Sequence, residues 1–361
     1  MEVIAYYLPQ YYPFKENNEW WGEGFTEWTN VGKAKQLFRN HYQPKVPANL
    51  GYYDLRLLEV KKKQAELAKE AGITGFCYWH YWFGNGKKLL DIPFQDVLSS
   101  NEPDFPFCLG WANESWKAKV WNNDDTSGDK LLIEQLYPGV DDIEAHFYSI
   151  LPALKDKRYM RIEDKPVFVI YKPLLMPNAN EFILMWNKLA KENNISEGFF
   201  FIGHTININE KASIIKLGFD AVNIVRIGEH RFNKNVIKKI PYKLFKFKVL
   251  GKPLKLNYSF ISKYFVDDVE KEEDLIPTII PNWDHTPRSG KKGVVFHNST
   301  PKLFKKHVMD VLNVISTKKR KIVFVKSWNE WGEGNYMEPD LKYGKEFIKV
   351  LGESITNELK A

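Results

Sequence analysis

Residues 322–334, IVFVKSWNEWGEG, join a short apolar run to a polar loop that contains two glycines, and this junction decides the fold. The run at 322–327 is rich in β-branched residues, as expected of a strand buried on both faces of a parallel sheet. Seven similar runs precede it, and each is followed by a polar loop and a helix-like segment. They span residues 3–8, 73–79, 107–111, 166–171, 199–204, 221–225 and 276–281.

Amphipathic segments between these runs predict helices at residues 55–70, 141–155, 180–193, 209–217, 302–315 and 343–359. Strand and helix alternate eight times, which favours a closed (β/α)8 TIM barrel. An open doubly wound sheet is the alternative, but it usually has a glycine-rich turn after its first strand, and the loop after Leu8 lacks one. No low-complexity linker divides the chain. We therefore expect residues 1–361 to form a single α/β domain.

The tryptophans concentrate at one predicted face of the barrel. Of the 12 in the chain, only Trp186 lies in a predicted helix, and the others fall at the carboxyl ends of strands, where barrel enzymes carry their sites. Flat aromatic rings beside carboxylates and amides suit sugars, whose C–H faces stack while their hydroxyl groups form hydrogen bonds. The alternative is that individual tryptophans close the barrel mouth as large core residues. The rim set is Trp20, Trp21, Trp28, Trp79, Trp82, Trp111, Trp116, Trp121, Trp283, Trp328 and Trp331.

Two glutamates, Glu330 and Glu333, follow the last predicted strand. A turn at the adjacent glycines would point both carboxylates toward the barrel axis, flanked by Trp328 and Trp331. Glycosidic cleavage commonly needs one carboxylic acid and one carboxylate, and an apolar wall keeps one of the two protonated. The alternative is a solvated acidic loop or acids at the start of the last helix. We predict that Glu330 and Glu333 are the catalytic pair.

Other polar and aromatic residues at the same rim are predicted to bind substrate. For any single one, a hydrogen bond that stabilises a loop is the alternative role. Glu23, Glu27 and His285 lie at the same rim, and binding of substrate hydroxyl groups is a reasonable role for each of them as well. The predicted substrate-binding residues are Tyr7, Gln10, Trp21, Trp28, Trp79, Tyr81, Trp111, Asn113, Glu114, Trp116, Asp284, Arg288, Trp328, Asn329 and Trp331.

Six blocks of the sequence resemble WbsX-like proteins, whose domain is related to glycoside hydrolase family 99. In chain order they are YYLPQYYPFKENNEWWGEGFTEW, GYYDLRLL, GITGFCYWHYWF, LGWANESW, PNWDHTPR and SWNEWGEG, and they extend from residue 6 to residue 334. The resemblance implies a (β/α)8 barrel with no metal or other cofactor. It also implies a setting in surface polysaccharide biosynthesis, such as lipopolysaccharide O-antigen or capsule.

The resemblance further implies a reaction. Family 99 enzymes are retaining endo-α-mannosidases thought to act by neighbouring-group participation, in which the 2-hydroxyl of the sugar attacks the anomeric carbon. By its position in the motif, Glu330 would be the base that deprotonates this hydroxyl. Glu333 would be the acid that assists the leaving group and then the base that activates water. The implied function is a glycoside hydrolase acting on an α-linked glycan, with mannose-type sugars favoured.

Three other functions stay open. A glycosyltransferase that uses a sugar nucleotide and a metal usually carries Asp-x-Asp, which is absent here, whereas a transglycosidase would use the same glutamate pair. A metal-dependent hydrolase has candidate ligands in His80, His204, His230 and His285, but the first strand has no His-x-His. A non-catalytic glycan-binding barrel is the third alternative.

The net charge of +7 is concentrated in residues 231–265, a predicted insertion with nine lysines, one arginine and no acid. The apolar residues interleaved with these lysines suggest contact with an anionic membrane surface or lipid phosphate, which would bring the enzyme to lipid-linked glycans. The expected substrate of the enzyme is an oligosaccharide or a lipid-linked glycan. A solvated insertion is the alternative, and nothing else supports nucleic-acid binding. Residues 1–14 lack the basic n-region of a signal peptide, and no stretch approaches 18 apolar residues, so we expect a cytoplasmic protein. If the basic segment contacts lipid, the protein would be peripheral to the inner face of the membrane.

Overall fold

The computed structural model describes residues 1–118, 130–228 and 251–360. Within these ranges nine parallel strand segments form a nearly closed barrel surrounded by helices. All eight predicted strands are present, with the seventh divided into two segments. The segments are β1 (Glu2–Tyr7), β2 (Gly75–Trp82), β3 (Phe107–Trp111), β4 (Lys165–Ile170), β5 (Phe200–Thr205), β6 (Ala221–Ile224), β7 (Leu275–Ile276), β8 (Thr278–Ile279) and β9 (Ile322–Val325).

The divided strand is where the barrel closes. β7 pairs with β6, with Leu275 opposite Val222, and β8 pairs with β9, with Thr278 opposite Phe324. Pro277 separates the two segments because it has no N–H to donate, although its carbonyl accepts a hydrogen bond from the Phe324 N–H at 3.1 Å. On the other side of β9, β1 pairs with both β9 and β2. The predicted single-domain (β/α)8 barrel is confirmed.

The helices include all six that the amphipathic pattern predicts, with ends that differ by at most three residues. The predicted helix at 209–217 begins as a 3-10 turn, Ile208–Glu210, before its α-helical part. The α-helices are α1 (Lys15–Trp21), α2 (Glu27–Gly32), α3 (Leu58–Glu70), α4 (Ile92–Ser100), α5 (Val140–Leu154), α6 (Ala179–Glu192), α7 (Lys211–Lys216), α8 (Tyr258–Ile261), α9 (Thr286–Ser289), α10 (Pro301–Ser316) and α11 (Glu346–Lys360).

Short accessory elements decorate the barrel. Lys88–Leu89 pairs with β2 and Arg161–Ile162 pairs with β4, both antiparallel. The remaining strands are the hairpin Trp116–Ala118 with Lys130–Ile133, the parallel pair Leu254–Asn257 with Val294–His297, and the hairpin Asn329–Glu330 with Asn335–Tyr336. Further 3-10 turns span Pro173–Leu175, Ser262–Tyr264, Asp268–Lys271, Gly290–Lys292 and Trp331–Glu333.

The core lies inside the barrel and between the barrel and its helices, with a smaller satellite core under the loops after β6 and β8. Tyr258, Ile261 and Phe265 are buried in this satellite core, where the Tyr258 hydroxyl donates to the Ile280 carbonyl at 2.6 Å. The carboxyl-terminal part of the predicted basic insertion is therefore packed against the barrel. Among the described residues, no helix is long and apolar enough to cross a lipid bilayer.

Candidate active site

The segment that carries Glu330 and Glu333 is a tight hairpin, which we call the glutamate turn (residues 329–336). Asn329–Glu330 pairs with Asn335–Tyr336, and the 3-10 turn Trp331–Glu333 connects them. Gly334 ends this turn at a φ of 53°, a left-handed conformation that glycine adopts readily. The reversal brings both carboxylates to one wall of the same cavity, whereas an extended continuation of β9 would have separated them.

The glutamate turn is fastened to the end of the first strand. The Asn329 side chain accepts a hydrogen bond from the Leu8 N–H at 2.8 Å and donates one to the Leu8 carbonyl at 2.9 Å. The Tyr11 hydroxyl donates to the Asn329 carbonyl and accepts from the Trp331 N–H at 3.0 Å. These buried contacts fix the position of the turn because they join segments far apart in the chain.

The Arg288 guanidinium, on the short helix α9, faces three carboxylates. Its Nη1 lies 2.6 Å from Oε1 of Glu333 and 3.4 Å from Oε1 of Glu330, and its Nε lies 3.1 Å from Oε2 of Glu27. Because one nitrogen contacts both members of the pair, their Oε1 atoms are separated by 2.6 Å plus 3.4 Å, or 6.0 Å, at most. The two carboxyl groups are therefore close enough to act on one glycosidic bond.

Glu330 is the member of the pair that more readily holds a proton. Burial raises its pKa, and the neighbouring carboxylate of Glu333 raises it further. Lys326, with Nζ 3.7 Å from Oε2, and Ser327, whose Oγ donates to Oε2 at 3.1 Å, only partly offset these effects. Two buried carboxylates at this separation do not both ionise readily.

Glu333 is shifted in the opposite direction. Burial alone would raise its pKa, but the charges of Arg288 and His285 hold the pKa well below its usual range. The His285 Nε2 lies 3.5 Å from Oε1 of Glu333. The pair thus consists of a carboxyl group disposed to stay protonated and a carboxylate disposed to stay ionised. This order is the reverse of the base and acid roles that the resemblance implies for Glu330 and Glu333.

The two glutamates line a cavity of about 340 Å³ at the carboxyl ends of the strands. This volume lies in the range of pockets that hold small organic ligands. The predicted site residues that line the cavity are Gln10, Trp79, Tyr81, Glu114, Trp116, Arg288, Glu330 and Glu333. Residues outside the predicted set that also line it are Leu8, Ala112, Tyr171, His204, Ile206, Ile227, Trp283 and Lys326.

Aromatic rings form much of the cavity wall. Trp79 stacks on Tyr6 with 4.7 Å between ring centroids and meets the Tyr171 ring edge-on at 5.4 Å. The Lys326 Nζ lies 5.9 Å from the centroids of both Tyr6 and Trp283. Apolar ring faces, carboxylates and a cation therefore converge on one space, as a site for a polyhydroxylated ligand requires.

Three predicted tryptophans, one of them within the glutamate turn, do not line the cavity. Trp331 stacks on Tyr336 with centroids 3.7 Å apart, and the Trp28 ring lies 5.7 Å from that of Trp331. Trp328 is fully buried against Phe76. The hairpin turns the two glutamates toward the cavity, and these flanking tryptophans consequently face the protein interior as packing residues.

Other predicted residues also lie outside the cavity. The Tyr7 hydroxyl donates to Oε1 of Gln64 on α3 at 2.7 Å, so this side chain faces the helices. Trp111 packs between β3 and the helices, where its Nε1 donates to the Trp82 carbonyl at 2.9 Å. Trp21 is 45% exposed on α1.

Two predicted polar residues hold loops together. Asn113 accepts a hydrogen bond from the Lys172 N–H at 2.7 Å and is fully buried. Asp284 accepts hydrogen bonds from His41 at 2.7 Å and Gln43 at 2.8 Å, and its N–H donates to the Glu333 carbonyl at 2.7 Å. Asp284 therefore supports the glutamate turn from its outer side.

The candidate metal ligands do not come together as a set. His204 lines the cavity and His285 lies beside Glu333, whereas His80 pairs with His146 at 2.9 Å outside the cavity. His230, like Trp121, falls outside the described residues. Within the described ranges, no three His, Cys, Asp or Glu side chains form a group that could hold a metal ion.

The cavity residues that the sequence reasoning missed had a usable signal. Tyr171 is the last residue of one predicted strand, and Lys326 lies near the end of another, three residues before the glutamate turn. His204, which ends a third predicted strand, was expected only as a candidate metal ligand. Position at the carboxyl end of a barrel strand is itself an indication of a role in the site. Of the predicted basic insertion, residues 231–250 lie outside the described ranges.

Residues 3–351 match the family model described as Glycosyltransferase WbsX. Two proteins named Uncharacterized protein WxcX, from two strains of Xanthomonas campestris pv. campestris, are 32% and 31% identical over 98% of this chain. The chain spans about half the length of these relatives, 49% in each case.

Solved structures share the fold at low sequence identity. The GH99 endo-alpha-mannosidase from Bacteroides thetaiotaomicron has a TM-score of 0.58 at 16% identity, with 99% of this chain and 98% of that chain covered. A protein described as Glycoside hydrolase-like protein has a TM-score of 0.59 at 15% identity, with 98% and 93% covered. These likenesses show a common barrel fold.

Proposed function

Because the chain belongs to the WbsX glycosyltransferase family, we propose that it is a carbohydrate-active enzyme that breaks glycosidic bonds with Glu330 and Glu333. The observation that carries the proposal is the pair of buried carboxyl groups with opposite pKa shifts at one wall of an aromatic-lined cavity. One group that holds a proton beside one that is ionised is the arrangement that acid–base cleavage of a glycoside needs.

The spacing of the pair favours retention of configuration. Retaining glycosidases hold their carboxyl groups about 5–5.5 Å apart and inverting ones about 6.5–9.5 Å apart. The upper limit of 6.0 Å, which applies to one oxygen of each carboxyl group, lies below the inverting range. An α-linked, mannose-type glycan and participation of the sugar's own 2-hydroxyl are proposed from the family resemblance.

The proposed first step is balanced by two proton transfers. The 2-hydroxyl gives its proton to Glu330 as its oxygen bonds to the anomeric carbon, and Glu333 gives a proton to the departing glycosidic oxygen. Water, deprotonated by Glu333, then opens the three-membered ring, and Glu330 returns the proton to O2. This assignment reverses the protonation order of the ligand-free pair, in which Glu330 holds the proton. It requires the substrate to weaken the contact between Arg288 and Glu333, which keeps Glu333 ionised, and the proton to pass from Glu330 to Glu333 before cleavage.

Transfer of the sugar to an acceptor other than water is the second candidate, because the matching family is described as a glycosyltransferase. Hydrolysis and transglycosylation share the same carboxyl pair and differ in the molecule that opens the three-membered ring of the intermediate. A role in assembling a surface polysaccharide fits either outcome and is proposed from the family setting.

The test is turnover of α-linked oligosaccharides and activated α-glycosides, with and without a sugar acceptor, followed by mass spectrometry. We expect the wild type to release or transfer sugar, and Glu330→Gln and Glu333→Gln each to lose more than about 10²-fold in rate. The exposed Glu346→Gln is the matched control. Glycan binding without any product would contradict the enzyme proposal, and a product formed only from a sugar nucleotide would contradict the assigned mechanism.

We also propose that the basic segment 231–265 contacts anionic lipid, which would bring the site to a lipid-linked glycan. The support is its ten positive charges without an acid. Flotation with anionic and neutral vesicles at low salt tests the idea. We expect binding to anionic vesicles only, with loss on changing Lys243, Lys246 and Lys248 to Gln. The control changes the exposed Lys188, Lys191 and Lys349, and equal loss in both variants would contradict the proposal.

A further inference from the structure

His204 stands out among the cavity residues because its polar atoms are buried and unused. It lies near the end of β5, is 3% exposed and lines the cavity. Neither ring nitrogen makes a hydrogen bond of normal geometry within the part of the chain that the structure describes. Buried polar side chains in folded proteins nearly always have partners, so two unsatisfied nitrogens beside a cavity point to a ligand.

The imidazole ring is held in place by its neighbours. The Tyr171 ring lies 4.8 Å away at an interplanar angle of 36°, and the Tyr6 ring meets it edge-on at 6.1 Å. Tyr6 in turn stacks on Trp79, so the histidine extends the aromatic wall of the cavity. Packing therefore fixes where the ring nitrogens are, as a preorganised binding group requires.

The charge state of His204 narrows the class of ligand. Burial and the charges of Lys326 and Lys172 lower its pKa well below the usual range, more than the carbonyl groups of Tyr171 and of His204 itself raise it. A neutral imidazole has one donor nitrogen and one acceptor nitrogen. A hydroxyl group can satisfy either of them, whereas a carboxylate or phosphate only accepts and an ammonium only donates.

We propose that His204 binds a hydroxyl group of the sugar that lies against Trp79 beside the glutamate pair, and so determines which sugar configuration the cavity accepts. The inference rests on the proposed function and adds a specificity-determining residue to it. A site built to hydrogen-bond a hydroxyl rejects analogues that lack it, because its own polar atoms are then left unpaired in a buried place.

The experiment uses the Glu330→Gln variant of the 361-residue chain, in which we expect substrate to bind while turnover is slowed by more than about 10²-fold. It is screened on immobilised α-linked oligosaccharides, and the tightest binder is then measured by calorimetry together with the mono-deoxy analogues of its sugar residues. The same ligands are measured with His204→Phe added, which keeps an aromatic ring and removes both nitrogens. His297→Phe, outside this cavity, is the matched control.

We expect His204→Phe to weaken binding of the parent glycan by at least about tenfold. For one deoxy analogue, the Glu330→Gln protein and the Glu330→Gln, His204→Phe protein should bind with equal affinity. In that analogue the hydroxyl group that forms a hydrogen bond with His204 is absent. A second measurement, 15N NMR of the His204 ring, is made on protein that retains His204. The ring resonances should shift when the parent glycan is added and stay unchanged when the deoxy analogue without the bound hydroxyl group is added. This readout does not depend on the variant folding.

The outcomes separate two failures. If Glu330→Gln binds glycans but His204→Phe leaves every affinity and the ring resonances unchanged, the role of His204 is wrong and the proposed function stands. If Glu330→Gln binds no glycan, the proposed function fails, and the inference about His204 fails with it.

Discussion

The Trp331 indole Nε1–H donates a hydrogen bond of 2.6 Å to Oε2 of Glu338, which ties the glutamate turn to a carboxyl group buried beneath it. The same carboxyl group accepts from Nε2 of Gln64 at 2.6 Å and from the Tyr53 hydroxyl at 2.9 Å. Helix α3, the first βα loop and the glutamate turn thus meet at one side chain. Burial raises the pKa of Glu338 to about 7, more than these hydrogen bonds lower it.

Glu338 should make the protein less stable as the pH rises through neutrality. The folded protein holds this proton up to about pH 7, whereas the unfolded chain loses it near pH 4.5. The stabilising contribution is thus fully present below pH 4.5 and is lost toward and above pH 7, by about 3 kcal/mol in total.

Urea unfolding of wild type and Glu338→Gln across pH 4.5–8 measures this contribution, since glutamine resembles the protonated carboxyl group and does not titrate. We expect the stability of the wild type, relative to that of the variant, to decline over this interval. Glu346→Gln on the surface serves as the control. Parallel pH curves for wild type and Glu338→Gln would show that Glu338 titrates normally.

Activated leaving groups should distinguish the two glutamates. A substrate whose leaving group needs no proton bypasses the acid, so Glu333→Gln should release the leaving group of such an α-glycoside in a first step that is little slowed, while losing about 10²-fold or more on an ordinary glycan. The second step should stay slow in this variant, because Glu333 is also the base that activates water. Glu330→Gln should lose activity on both substrates. If Glu330→Gln is the variant rescued, the roles follow the pKa order of this structure, in which Glu330 holds the proton.

Arg288 should control the alkaline side of the pH–rate profile. Its charge lowers the pKa of Glu333, so Arg288→Gln should raise that pKa and extend activity that depends on protonated Glu333 to higher pH. The loss of a preorganised charged group should also lower kcat by about 10²-fold. Arg288→Lys keeps the charge and should shift the profile less. If the wild type, Arg288→Gln and Arg288→Lys all had the same pH–rate profile, Arg288 would have no influence on proton transfer by Glu333.

Gly332 should not tolerate a side chain. A Cβ at this position would overlap the Glu27 carboxylate and come within 3.0 Å of Nε of Arg288. We expect Gly332→Ala to displace the Glu27–Arg288 pair, with a loss of about 1–3 kcal/mol in unfolding free energy and a loss of activity. Gly32→Ala is the matched control because a Cβ there meets nothing within 4 Å. Equal melting and activity in the two variants would contradict this packing.

The barrel could be predicted because each strand is buried on both faces and reads as a continuous apolar run. Glu330 and Glu333 could be placed because they follow the last run directly. The orientation of their neighbours could not be predicted, since Trp328 and Trp331 turn inward only because the chain folds back as a hairpin. Strand periodicity leaves two choices of face, and the structure places Tyr6 toward the cavity wall and Tyr7 toward α3.

The parts of the cavity contributed by Tyr171, His204 and Lys326 were harder to predict for a different reason. Each terminates or follows an apolar run, but residue type alone does not distinguish a side chain that faces a cavity from one packed in the core. The two helices in the first loop, α1 and α2, were missed because they are short. The role of α2 follows only from the three-dimensional structure, in which it positions Glu27 beside Arg288.

The hydrogen bonds between Leu8 and Asn329 span 321 positions of the chain. One edge of β1 pairs with β9, which is the last strand to be synthesised. This edge therefore stays unpaired until residues 322–325 have left the ribosome. A nascent chain therefore holds no assembled glutamate pair until the barrel closes. Such long-range pairing slows folding and leaves the early strands dependent on protection from aggregation while synthesis continues.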